Sequence, residues 1–462
     1  MKSSHRAAAT IAAADDSNVI AYGGLAAGVR LAERCGLPGL VREKVRLPGA
    51  ANGAGTAPDA KVMSLVAGML AGADSIEDVD VLRHGAMSRA FSGIRAASTL
   101  GAFLRAFTWG HLRQLESAAR AFTGNLVRHC HLLPGADQVV FLDIDSKIKP
   151  VHGYAKQGAA FGYTRQRGLH FQIVTASTPI AAPIVVASRL RKGSAGFGKG
   201  AAHLIAEAVG AVRAAGARGQ IIVRGDSAFC SHKTVAACRR LGVRFSFTIA
   251  QRTKVRTTIA ALDESAWTAI KYTGAVFDED QQLWVSNAEV AETKYTAFTG
   301  KRKEYHATAR LLVRRVKRLN QAHIPLEQGE LFAAHRFHAV FTDTALGLVE
   351  AETTHRRHAI VEQVFADLED SALAHLPSGK FTANAAWLTL ATLAHNLTRA
   401  LGALASVFHA RARTGTVRRH LITVPARIAA GARTLTWHFP KRWPWLGALE
   451  NLWTAVGHRL RT

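Results

Sequence analysis

The residues of this chain best suited to chemistry are acids that follow buried runs. In Val139-Val-Phe-Leu-Asp-Ile-Asp145-Ser-Lys, the apolar opening with its β-branched pair reads as a strand covered on both faces. Asp143 and Asp145 close it with period-2 spacing and share a face if the strand continues that far. A second buried run, Ile221-Ile-Val223, leads through Arg224 and Gly225 to Asp226. The third acid, Glu362, borders the helical stripe Ile360, Val361, Val364, Phe365 and Leu368. Periodicity predicts one helix over 351–368, with His355, His358 and Glu362 along one side and Glu369 two turns further on. A carboxylate at the edge of a core is costly unless it meets water, a cation or a hydrogen bond. Strand-end aspartates and a helix glutamate can together hold two hard divalent cations through oxygen. Two such ions, roughly 4 Å apart, activate a water or 3'-hydroxyl and stabilise a departing 3'-oxygen.

The elements expected to position these acids define a mixed α/β chain. Residues 1–135 read as an N-terminal helical region suited to binding DNA ends, or to plain packing or dimerisation. Residues 136–249 contain strands with crossover helices, giving a mixed sheet flanked by helices. Residues 250–350 read as a mostly β insertion with a basic surface. Residues 351–408 return to helices and carry the third acid. Residues 409–462 form a basic C-terminal region in which Trp437, Trp443, Trp445 and Trp453 either stack on exposed bases or pack a small domain.

The charge balance favours a polyanionic partner. Lysine and arginine total 59 against 33 acids, a net charge of +26, and each phosphate neutralised releases counterions. With 48% hydrophobic residues in 462, the chain can bury a large core and is not a disordered tail protein. No apolar run is long enough for a membrane span, and no signal-peptide core follows the basic start. The expected location is the cytoplasm, in association with the nucleoid. Cys35, Cys130, Cys230 and Cys238 are too scattered for a zinc knuckle or disulfide framework.

Two motifs mislead. Gly193-Ser-Ala-Gly-Phe-Gly-Lys199-Gly200 nearly fits a phosphate-binding loop, but Gly200 stands where a magnesium-binding Ser or Thr is required. It reads instead as a flexible basic loop with Arg189, Arg191 and Lys192. The order of His355, His358 and Glu362 is not that of a zinc protease helix.

Taken as a set, four blocks resemble insertion-sequence DDE transposases with an RNase H-like core. They are Phe141-Leu-Asp-Ile-Asp-Ser146; His152-Gly-Tyr154 with Lys156-Gln-Gly-Ala-Ala-Phe-Gly-Tyr163; Val223-Arg-Gly-Asp-Ser-Ala-Phe229; and His355-Arg-Arg-His-Ala-Ile-Val-Glu-Gln363. The resemblance covers most of 136–400. It implies that Asp145, Asp226 and Glu362 are the catalytic acids and hold two Mg2+ or Mn2+ ions, with Asp143 a further possible ligand. It implies cleavage at the terminal inverted repeats of a mobile element in double-stranded DNA, then 3'-hydroxyl attack on target DNA within a homodimeric complex. A decayed DNA-binding protein and a stand-alone metal nuclease are the alternatives. Candidate DNA contacts are Lys156, Arg165, Arg167, Arg191, Lys192, Lys199, His355, His358 and Lys380. Related enzymes carry a Tyr-Arg-Glu-Lys arrangement on the glutamate helix. Here His355, His358 and Glu369 occupy the other three positions, and Glu369 is expected to repel the DNA backbone unless a base such as Lys380 compensates.

Overall fold

The protein is described from a computed structural model that covers residues 11–49, 53–272, 276–278, 283–285, 287–317, 335–431, 433–458 and 460. Its first part is helical: α1 (Leu25–Arg34), α2 (Leu37–Lys44), α3 (Pro58–Ala71), α4 (Ala97–Arg105) and α5 (Trp109–Cys130). Between α3 and α4 the chain forms a 3-10 helix over Glu77–Arg83. Helix α5 starts at Trp109, where Thr108 caps it reciprocally with His111.

The core sheet follows. Strand β1 (Val139–Pro150) pairs antiparallel with β2 (Arg167–Thr178), and β2 pairs with β3 (Ala181–Lys192). Helix α6 (Ala201–Ala214) crosses to β4 (Gln220–Gly225), parallel to β1. Helix α7 (His232–Arg240) crosses to β5 (Arg244–Thr248), parallel to β4. The resulting order, β3-β2-β1-β4-β5, with helices on the sheet, is consistent with an RNase H-like fold. The mixed α/β expectation therefore holds.

Two features differ from the expected outline. The opening strand does not stop at the aspartates: its long hairpin with β2 carries it on to Pro150, leaving Asp143 and Asp145 in mid-strand. The β insertion is also not a separate layer. Strands β6 (Ala288–Ala297), β7 (Ala307–Lys317) and β8 (His335–Thr342) continue the same sheet, which is ten-stranded, because β8 pairs with β5 through Val340–Thr248 and Phe341–Phe247.

The chain returns through α8 (Leu348–Arg356) and α9 (Ile360–Glu369) to α10 (Phe381–Ala405). Helix α10 is long, rich in Ala and Leu, and buried almost throughout; it packs against α5, β3 and α3 and so joins the helical part to the core sheet. Near the C-terminus, Ala426–Ala430 pairs with both Val19–Ile20 and Leu435–His438. Among the described residues, no helix is long and apolar enough to cross a membrane.

Candidate active site

Two parallel strands bring the first two acids abreast. Register places Asp143 opposite Arg224 and Ile144 opposite Gly225. One step further on each chain lie Asp145 and Asp226, near enough for the charge of Asp226 to act on Asp145. Gly225 permits this approach: a Cβ there would lie 3.0 Å from Ile144 Cγ2 and 3.1 Å from its carbonyl oxygen. β4 ends at this point, and Asp226 turns the chain by accepting the Ala228 amide at 2.9 Å. Asp145 accepts the Ser146 amide at 2.6 Å.

Asp143 has a different role. It is 1% exposed, and both its oxygens are taken by Arg224, which donates from Nε at 2.6 Å and from Nη2 at 2.8 Å. Burial raises the proton affinity of Asp143, and the guanidinium opposes that rise. Arg224 also donates from Nη1 to the Thr354 carbonyl at 2.6 Å and lies 4.2 Å from the Phe141 ring centroid. Asp143 and Arg224 thus lock β1 to β4 and both to α8, a structural role beside which Asp143 remains only a further possible ligand.

The third acid arrives on α9, whose Val361, Val364, Phe365 and Leu368 are buried; Phe365 meets Phe171 of β2 edge-on at 5.4 Å. Glu362 lies on the exposed side. The single helix expected here is broken by a 3-10 turn at Arg357–Ala359. The cause is His355, which is 5% exposed and bridges Ser246 Oγ and Thr248 Oγ1 of β5, each at 3.0 Å. Burial lowers its pKa well below the ordinary value, so the ring is neutral, and both its nitrogens are engaged by the sheet. The His358 ring tilts against that of His355 at 4.7 Å and donates from Nδ1 to the His355 carbonyl at 2.7 Å, and its neighbourhood lowers the proton affinity of Asp143 and Asp226. Glu369 is paired with Lys147 and Lys149 of β1, neighbouring bases other than the Lys380 expected to compensate it.

The basic candidates divide in two. Lys156 donates to the Leu376 carbonyl, Arg167 to those of Gly153 and Tyr154, Arg191 to those of Lys199 and Phe197, and Lys380 to that of Arg105. These tie loops to the core. Arg165, Lys192 and Lys199 remain exposed.

Electrostatics sets the three acids apart. The deeply buried acids, Glu116, Asp143, Glu352 and Asp367, are each paired with arginine, whereas Asp145 is half-buried and Asp226 and Glu362 are exposed. Among the described residues, Asp145, Asp226 and Glu362 form no ion pair. Burial pushes the Asp145 carboxyl up to about 7, assisted by the like charges of Asp226, Glu362 and Asp143. Desolvation likewise raises Asp226. Unneutralised carboxylates within reach of one another's charge fit a hard divalent cation in donor chemistry. In this conformation, however, no three His, Cys, Asp or Glu among the described residues are gathered closely enough to hold one.

A stability prediction follows. Below about pH 4, Asp145 is neutral whether folded or unfolded and costs nothing. As pH rises toward 7 the unfolded chain releases this proton first, so the metal-free fold loses stability, by at most about 4 kcal/mol before solvent screening. Melting temperatures in a chelating buffer should therefore fall more steeply between about pH 4 and 7 (the span from the unfolded to the folded titration) for the wild type than for Asp145→Asn. Equal slopes would refute the coupling.

A family model described as "Transposase DDE domain group 1" matches residues 8–460. No curated protein matches the sequence.

Proposed function

We propose, from the premise that the chain belongs to the transposase DDE domain group 1 family, that it is an insertion-sequence transposase with Asp145, Asp226 and Glu362 as its catalytic acids. The observation that carries this reading is that Asp145 and Asp226 lie one residue beyond the paired Ile144 and Gly225, near enough to each other and to Glu362 for like charge to raise the Asp145 carboxyl, with no ion pair on any of the three among the described residues. Asp145 and Asp226 would hold divalent metal side by side from the sheet, with Glu362 closing the set from α9. Two Mg2+ or Mn2+ ions, when bound, supply Lewis-acid charge to the attacking and departing oxygens of a phosphodiester. The protein's own part is to hold the scissile phosphate in line beside the carboxylates. Exposed Arg165, Lys192 and Lys199 grip the strand by its phosphates without reading sequence. The substrate is double-stranded DNA with terminal inverted repeats; the freed 3'-hydroxyl then attacks target DNA, with two copies of the chain holding the two ends. Residues 1–135 serve as the end-binding part of this arrangement.

The test is incubation of the full chain with Mg2+ and DNA bearing the imperfect repeats that flank its coding region. Cleavage followed by joining to target supports the reading. Cleavage without joining indicates a stand-alone nuclease, and binding without cleavage a decayed centre. Glu369→Gln is a useful control. Its partners are partly exposed lysines, so the change should cost no more than about 1 kcal/mol in thermal melts and leave cleavage nearly intact. A loss of cleavage comparable to that of Glu362→Gln would place Glu369 in the site.

A further inference from the structure

The segment between β1 and β2 displays aromatic rings in a way the core does not require. Tyr154 is 98% exposed, Tyr163 90% and Phe161 67%. Each such ring carries a large apolar surface that folding ordinarily covers. Nor is this a loose loop. Arg167 binds the Gly153 and Tyr154 carbonyls and lies 5.8 Å from the Tyr154 ring centroid. The Gln157 amide donates to the Gly379 carbonyl at 2.8 Å, and Gln157 Oε1 accepts the Phe381 amide at 3.1 Å. Ala160–Phe161 pairs with the start of β2. The backbone is held on three sides while the rings face solvent.

These rings are also connected to the carboxylates. The Tyr163 ring meets Phe197 edge-on at 6.3 Å. Beside Phe197, Gly198 presses on the turn after Asp226, where a Cβ would lie 2.6 Å from the Ala228 carbonyl oxygen. Gly168 is paired with both Pro150 and Ala160, so the platform begins five residues beyond Asp145 along β1. That is about 17 Å, or about five nucleotide steps along one strand. Charge agrees with such an occupant: between Asp145 and Glu207 the sequence contains no acidic residue.

We propose that Tyr154 and Tyr163 form a stacking platform for unpaired bases of the DNA strand that runs past the carboxylate site. A duplex offers its phosphates and groove edges, whereas base faces become available to tyrosine rings only when pairing is broken. The platform therefore reads the melted or flanking strand beside the cleavage point, by stacking and without sequence preference. This rests on the transposase reading above, and its test is independent of catalysis.

The experiment uses the full chain without divalent metal and two probes: a blunt duplex, and the same duplex with a single-stranded extension of about ten thymidines containing one 2-aminopurine. The wild type should bind the extended probe more tightly and quench the 2-aminopurine. Tyr154→Ala with Tyr163→Ala should weaken binding of the extended probe roughly tenfold or more and abolish quenching, with blunt binding unchanged. Phe at both positions should restore both signals, which a purely structural role for the hydroxyls would not predict. Equal loss on both probes, no quenching by the wild type, or failure of Phe to restore binding overturns the proposal. So does a change in self-association with extended-probe binding intact, which would assign the rings to a second copy of the chain. If the carboxylate variants retain cleavage while the platform responds as expected, the catalytic assignment alone fails.

Discussion

Asp145→Asn, Asp226→Asn and Glu362→Gln are each expected to reduce Mg2+-dependent DNA nicking by roughly a thousandfold or more, because each removes a charged oxygen ligand worth several kcal/mol of transition-state stabilisation. DNA binding should survive, since phosphate contacts come from basic side chains away from the acids. The folded state should survive as well. None of the three acids is held by an ion pair among the described residues, and Asp145 sits under the like charges of its neighbours. Asp145→Asn should raise the melting temperature of the metal-free protein at pH 8, about one unit above its titration. The combination of higher stability, retained binding and lost nicking is diagnostic. A structural carboxylate would give the opposite stability change, and any of the three variants that still nicks at the wild-type rate removes that acid from the assignment.

How much of this was legible in the sequence depends on the range of the interaction concerned. The β-branched runs before Asp143 and Asp226 announce buried strands, because burial on both faces is a local, contiguous pattern. That Asp145 and Asp226 stand abreast is not local: it follows from a parallel register, Ile144 against Gly225, across 81 residues of chain. The same register hands Asp143 to Arg224, and no spacing rule separates it beforehand from Asp145. Helical periodicity ran through His355 to Leu368 without a visible break. The break arises because the His355 ring is drawn inward by Ser246 and Thr248, hydroxyls on a distant strand. Glu369 looked repulsive for a similar reason, since its lysine partners lie on β1. In the C-terminal region, Trp443 donates its indole N–H to the His420 carbonyl at 2.9 Å, and Trp453 is buried against Phe439. Both are packing contacts that composition could not distinguish from base stacking. The insertion was legible as strands, but not as an extension of the core sheet, which only the pairing of β8 with β5 reveals.

Arg224→Ala should be the most destabilising single change near the site, costing about 3–5 kcal/mol in denaturant or thermal unfolding. The substitution leaves the Asp143 carboxylate buried at 1% exposure with neither of its arginine bonds. It also releases the Thr354 carbonyl and the contact with Phe141, so β1, β4 and α8 lose their common tie. Because Asp145 and Asp226 each lie two residues beyond this pair, nicking should fall even under conditions where the variant is folded. The double change Asp143→Leu with Arg224→Met separates the two consequences. Removing both charges together relieves the uncompensated burial, and well-packed apolar replacements of a buried ion pair are often close to neutral. Stability should therefore recover most of the loss, whereas nicking should recover less, since the bond to Thr354 that orients α8 is still missing. A single Arg224→Ala variant as stable as the wild type would show that water reaches Asp143 and that the ion pair is not what ties β1, β4 and α8 together.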